Sequence, residues 1–233
     1  MVNLAFYSDQ IIPESKEIDL RLLAMMESQG LGTRIGYIPS GPEPERHFFN
    51  ERKRHYGAYG LEMSLFYDLD ETHGAEEKEA LFACDAIHLT GGHTGGYLHR
   101  LRRSGMLPLL RNWALQGGVL IGTSAGAILM TPTIATDALF TGSVPEALTE
   151  ETALDLVPFE FFPHLSENAT YLPELVRYSK LTSRPIVACD DGDGIIVSGE
   201  WVSCIGKPIL IADGVVKQAK DITLGRLSLP EKS

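Results

Sequence analysis

The chain has 233 residues, 44% of them hydrophobic and 22% charged, and a formal net charge of -11. That length and composition suit one globular domain over residues 1–233 with a sizeable core. The acidic balance excludes nonspecific nucleic-acid binding, which needs a basic face. Three cysteines, Cys84, Cys189 and Cys204, occur without C-x-x-C spacing, which excludes a disulfide framework and a zinc site. No apolar run reaches the length of a membrane span. The first residues carry neither the basic region nor the apolar core of a signal peptide. The expectation is a cytoplasmic protein with no membrane partner, monomeric or homodimeric, that needs no cofactor and no metal.

In chain order, residues 2–7 read as a buried strand ending in the polar loop Ser8-Asp9-Gln10. Glu14 to Gln29 has apolar residues at near-helical spacing and ends at Gly30, a C-cap signal. Arg34 to Pro39 is a second strand and Leu61 to Tyr67 a third, separated by a charged helix over His47 to Tyr59. Glu76 to Phe82 is a short helix, and Ala86 to Thr90 a fourth strand. Gly91-Gly92-His93-Thr94-Gly95-Gly96 follows directly, then helices over Tyr97 to Arg103 and Leu107 to Leu115. Val119 to Ile121 is a fifth strand. This alternation predicts an α/β fold with a mostly parallel, doubly wound sheet flanked by helices.

The second half changes character. Phe159 to Phe162 is a short strand ending at Pro163-His164, and Tyr171 to Leu181 is a helix. From Pro185 onward short strands alternate with turn signals, among them Asp190-Asp191-Gly192-Asp193-Gly194. These read as antiparallel hairpins that close the sheet edge or form a small second sheet. Leu227 to Ser233 is polar and expected to fray.

Ligands of parallel α/β sheets bind beyond the carboxyl ends of the strands. Three segments lie there: Ser8-Asp9-Gln10, the Gly91–Gly96 loop, and Gly122-Thr123-Ser124-Ala125-Gly126. The last has the G-x-S-x-G form between a strand and an apolar segment, Ile128-Leu129-Met130, that suggests a helix. A nucleophile elbow needs that arrangement, because only small neighbours leave room for a serine on so sharp a turn. The helix start behind Ser124 would add free N–H groups and a dipole.

A serine nucleophile needs a base, and the base needs an orienting group. Of seven histidines, His93 and His164 sit just past strand ends on the side where the elbow opens; His164, stiffened by Pro163, is the favoured base. An oxyanion hole needs two converging N–H donors. Ala125 N–H is one, and Gly92 or His93 N–H is a natural second. The glycine loop matches neither a dinucleotide fingerprint nor a P-loop. Between Ser124 and His164 the acids are Asp137, Glu146, Glu150, Glu151, Asp155 and Glu160, and Asp137 is favoured because it follows the elbow closely.

Gly-Thr-Ser124-Ala-Gly-Ala, Thr-Pro132-Thr-Ile, Asp155-Leu-Val-Pro and Phe-Phe-Pro163-His164, with Gly91-Gly92-His93-Thr94 upstream, occur in the order found in the S51 peptidases, and the chain resembles that family of aspartyl dipeptidases (peptidase E) and cyanophycinases. The resemblance runs from the fourth strand to His164 and more loosely through the hairpins near Asp191. It implies a fold like the class I glutamine amidotransferases, with serine in place of their cysteine. It also implies a Ser–His–Asp/Glu triad, with Ser124 as nucleophile, His164 as base, and Gly92 with Ala125 as the oxyanion hole. Asp137 falls slightly nearer the serine than the family's acid, which keeps Glu146 as an alternative. His93 stands where relatives carry Asn or Asp, at a position for substrate binding. The implied activity is hydrolysis of small peptides after an aspartyl residue. Two other readings use the same features: an esterase of the α/β-hydrolase type, and a catalytically inactive binding protein on the same scaffold.

Overall fold

A computed structural model describes residues 1–11 and 13–224; the polar tail from Leu227 to Ser233 lies outside the described residues. The first half supplies β1 (Asn3–Tyr7), α1 (Lys16–Ser28), β2 (Arg34–Ile38), α2 (His47–Gly57), β3 (Glu62–Phe66), α3 (Ala75–Phe82), β4 (Ala86–Leu89), α4 (Thr94–Arg103), α5 (Met106–Leu115), β5 (Val119–Thr123) and α6 (Ala125–Ile128). The second half supplies β6 (Glu160–Phe162), α7 (Tyr171–Tyr178), β7 (Ile186–Ala188), β8 (Gly194–Ser198), β9 (Trp201–Ile205), β10 (Ile209–Ala212), β11 (Val215–Gln218) and β12 (Ile222–Thr223).

The main sheet has the order β12-β9-β8-β1-β5-β4-β2-β3. Its β3, β2, β4, β5 and β1 are parallel, and β8, β9 and β12 extend it in antiparallel fashion. Successive side chains on a strand point to opposite faces, and the core divides accordingly. Leu4 and Phe6 of β1, Ile87 and Leu89 of β4 and Leu120 of β5 join Leu98, Leu101 and Leu110 of α4 and α5 in one apolar layer. Ala5 and Tyr7, Tyr37, and Val119 and Ile121 join Ile18, Leu22 and Met26 of α1 and Phe49 and Tyr56 of α2 in the other. Both faces are covered, as the alternating pattern predicts.

The hairpins take both of the placements open to them. β8 and β9 close the main sheet's edge, while β10 and β11 join a second sheet of order β11-β10-β7-β6. That second sheet is mixed, because β6 and β7 run parallel. It packs against the main sheet through Phe6, whose ring centroid lies 5.6 Å from that of Phe159 and 5.3 Å from that of Phe161.

The helix after the elbow is only one turn long. Thr131 Oγ1 donates to the Ile128 carbonyl at 2.7 Å, and Pro132 has no N–H to continue the ladder. The apolar run Ile128-Leu129-Met130 is buried all the same; it is core without being a long helix. The dipole expected behind Ser124 is correspondingly slight, since the macrodipole grows from aligned turns.

Candidate active site

Ser124 sits between β5 and α6 with φ 51° and ψ -110°. An L-residue there is strained, and the neighbouring glycines make the turn possible. A Cβ on Gly122 would lie 2.6 Å from Ala127 N, and one on Gly126 would overlap the Leu89 carbonyl. Ser124 N–H donates to Tyr7 O at 3.0 Å, and Gly126 N–H to Thr90 O at 3.1 Å. The elbow is thus stitched to the carboxyl ends of β1 and β4. Among the described residues, Ala125 N–H and Gly92 N–H donate to no protein acceptor.

Ser124 Oγ lies 2.9 Å from His164 Nε2. His164 Nδ1 lies 2.6 Å from Asp191 Oδ1. A carboxylate only accepts, so Nδ1 carries the proton, and Nε2 is left to accept from the serine hydroxyl. His164 and Asp191 follow the carboxyl ends of β6 and β7, which are adjacent and parallel, with Phe162 opposite Ala188. Two side chains just beyond neighbouring strand ends meet for that reason. Ser8, at the end of β1, ties them to the main sheet. Its Oγ accepts from His164 N–H at 2.8 Å, and its proton faces Asp191 Oδ1 at 3.1 Å.

The carboxylate beside the imidazole is therefore Asp191, and this corrects the choice of Asp137 and of its alternative Glu146. Glu146 is held by Arg177, 2.9 Å from Oε2 to Nη2. Asp137 lies in a short 3-10 segment, Ala135–Thr141, and lines a small cavity of about 240 Å³ with His93, Thr94, Ser124 and His164. Burial pushes its carboxyl above the usual carboxylate range, opposed by a hydrogen bond with Thr94 and the nearby His93. Asp191 lies just past a strand end, three residues beyond Ala188, much as His164 lies two beyond Phe162. A search confined to acids between Ser124 and His164 passes over it. His93 caps α4: its Nδ1 accepts from Gly96 N–H at 2.9 Å, leaving Nε2 as the nitrogen free to meet a ligand.

A larger cleft of about 560 Å³ also reaches Ser124, lined by Tyr37, Glu43, Phe48, Arg52 and Gly92 among others. Glu43 is satisfied within the protein, accepting from Tyr37 OH at 2.9 Å and Phe49 N–H at 2.7 Å. Arg52 Nη1 donates to Gln10 Oε1 at 3.0 Å, and its Nη2 stands 3.8 Å from Glu51. A polar line runs to the cleft's lining residues His88 and Thr123: Gln10 Nε2 donates to Tyr56 OH at 2.9 Å; Tyr56 OH lies 3.1 Å from His88 Nδ1, and His88 Nε2 3.2 Å from Thr123 Oγ1. Burial, then the positive charge of Arg52 and the nearby His55, hold His88 well below the ordinary histidine pKa of 6.5.

Among the described residues, His164, Glu167 and Asp191 bring ligand atoms close enough to surround a cation. Both imidazole nitrogens are already engaged, Nδ1 as a donor to Asp191, so a metal there would compete with the serine–histidine–aspartate line.

The sequence matches the model of Peptidase family S51 over residues 8–205. It is 30% identical to Peptidase E of Shewanella sp. (strain MR-4) over 142 residues, covering 56% of this chain and 58% of that protein. An uncharacterized peptidase of Listeria innocua is 30% identical over 148 residues, covering 61% of this chain and 69% of that protein. In structure, a peptidase from an acI-B1 Actinobacterium superposes with a TM-score of 0.71 at 15% identity, over 96% of this chain and 97% of that one. A Listeria monocytogenes EGD-e protein superposes with a TM-score of 0.66 at 23% identity, over 94% of this chain and all of that one.

Proposed function

The chain belongs to peptidase family S51, and from that premise we propose that it is a serine peptidase cleaving small peptides by a Ser124–His164–Asp191 triad. The observation that carries the reading is the unbroken hydrogen-bonded line from Ser124 Oγ through His164 to Asp191. Ser124 attacks the scissile carbonyl while His164 Nε2 takes its proton. Asp191 keeps Nδ1 protonated and stabilises the imidazolium that forms. Ala125 N–H and Gly92 N–H receive the oxyanion. His164 then returns the proton to the leaving amine, and a water, activated by the same imidazole, releases the acyl group.

Chain order supports a peptidase over an α/β-hydrolase esterase: the acid follows the histidine here, whereas that fold runs Ser…Asp/Glu…His. The unpartnered N–H groups beside an accessible serine favour turnover over an inactive binding role.

Two pockets adjoin the serine, which suits a short substrate whose N-terminal residue offers a side chain to one and an ammonium to the other. In the larger, Arg52 is the permanent cation among the described lining residues, and it supports an aspartyl side chain as the group recognised. In the smaller, Asp137 opposes a substrate ammonium, with His93 Nε2 beside it. The test is a dipeptide panel of Asp-X, isoAsp-X and neutral controls with Ser124→Ala, Arg52→Gln and Asp137→Asn. Ser124→Ala is expected to lose at least about three powers of ten in kcat. Arg52→Gln should narrow the Asp-X preference through KM, and Asp137→Asn should raise KM for all peptides with a free amino group. Full peptidase activity in Ser124→Ala would refute the triad, and an unaltered preference in Arg52→Gln would refute the aspartyl pocket.

A further inference from the structure

The Gly91–Gly92 peptide carries one of the two proposed oxyanion donors, and its two glycines do little to fix which way it faces. A peptide flanked by two glycines rotates with little steric resistance. Turned over, it would present the Gly91 carbonyl to the developing negative charge instead of the Gly92 N–H. The fold supplies a constraint from another strand. Ser40, two residues past β2, donates its hydroxyl to Gly91 O at 2.6 Å. Its own N–H donates to Thr90 Oγ1 at 2.8 Å. Thr90 Oγ1 in turn lies 3.2 Å from Gly91 O. In a planar trans peptide the carbonyl and the following N–H point in opposite directions. Holding Gly91 O toward Ser40 therefore aims Gly92 N–H away from it.

The contacts around this peptide are close. A Cβ on Gly91 would meet Ser124 Cβ at 3.4 Å, so the loop touches the nucleophile. One on Gly92, where φ is +139°, would overlap Ser40 Oγ and stand 3.0 Å from Ser40 Cβ. The segment carrying Ser40 is itself anchored. Tyr97 OH donates to Ile38 O at 2.6 Å and Arg100 Nη1 to Pro39 O at 2.9 Å.

We propose that Ser40 is a positioning residue that locks the Gly91–Gly92 peptide in the orientation able to stabilise the oxyanion. The proposal rests on the serine-peptidase reading above. Ser40 also lines the larger cleft, but its hydroxyl proton is committed to Gly91 O, so its loss should appear in the transition state more than in ground-state binding.

The test compares Ser40→Ala and Ser40→Thr with the native protein in three measurements: kcat and KM on the best dipeptide of the panel, the rate of Ser124 labelling by a fluorophosphonate, whose phosphoryl oxygen occupies the oxyanion hole, and the thermal midpoint. Ser40→Ala is expected to lower kcat and the labelling rate together by about ten-fold, less than the 10²–10³-fold cost of removing a donor outright. Its KM should stay within about two-fold. Ser40→Thr keeps the hydroxyl and should recover most of both rates. Wild-type labelling by Ser40→Ala, an effect confined to KM, or a Ser40→Thr as slow as Ser40→Ala would each overturn the proposal. A native protein that the probe fails to label would instead overturn the serine-peptidase reading beneath it.

Discussion

Asp191, bonded to His164 Nδ1, leaves the imidazole the one tautomer suited to the proposed catalysis. Replacing it with Asn allows the amide N–H to face Nδ1, which turns the proton to Nε2 and removes the acceptor that Ser124 needs. Asp191→Asn is expected to lower kcat by about 10⁴-fold with little change in KM. Glu146→Gln, which loosens a surface pair with Arg177, should leave both within about two-fold. Steady-state kinetics on one substrate separates them, and comparable losses in the two variants would refute the assignment. At this scale the sequence was partly legible. Ser124 and His164 stood out because each lies at a strand end with a stiff or small neighbour. Asp191 was hidden inside Asp190-Asp191-Gly192-Asp193-Gly194, where acids also serve as turn formers, and chain order alone does not say which acid the fold returns to the histidine.

Among the elements, the elbow shows how tightly backbone packing dictates composition. The sharp turn brings α6 against the end of β4 so closely that the Gly126 Cα faces the Leu89 carbonyl. Gly126→Ala must push the two apart, and overpacking of this kind costs about 1–3 kcal/mol. Equilibrium urea unfolding should show that loss, with fluorophosphonate labelling slowed as well; a variant as stable as the native protein would refute the packing argument. The long helices could be read from apolar periodicity because each buries one face, and the central strands from short apolar runs because both faces of the sheet are covered. The length of α6 could not. Its run of buried apolar residues comes from immersion in the core between the sheets, and its end is set by Thr131 and Pro132. The parallel pairing of β6 with β7 also escaped the pattern, since the partners are separated in sequence by α7 and short strands look alike in either sense.

Across the whole molecule, the buried polar line from Gln10 through Tyr56 and His88 to Thr123 joins α2 to the centre of the main sheet. His88 is neutral there because burial makes its charged form costly. In the unfolded chain the same imidazole takes a proton near pH 6.5; in the folded protein it does so only at lower pH. The unfolded state thus binds more protons below 6.5, and folding stability is full above that pH and falls as pH drops beneath it. The slope from this group approaches about 1.4 kcal/mol per pH unit. Urea unfolding of the native protein and His88→Gln between pH 7 and pH 5 should show a shallower decline in the variant. Equal slopes would mean that His88 titrates normally.

The two-sheet arrangement divides the proposed triad between separate owners. The nucleophile belongs to the main sheet, while acid and base ride together on the smaller one, next to each other at the ends of β6 and β7. Slack at the joint between the sheets would therefore stretch one link, serine to histidine, and spare the other. Phe6, wedged against Phe159 and Phe161, is where such slack can be introduced. Phe6→Leu should lower kcat several-fold with KM little changed, because the serine–histidine link lengthens while the imidazole and its carboxylate move as one body. A kcat equal to that of the native protein would show that the joint transmits no slack to the site. Variation along that aromatic joint would thus tune the rate of the proposed reaction without remaking the histidine–aspartate pair.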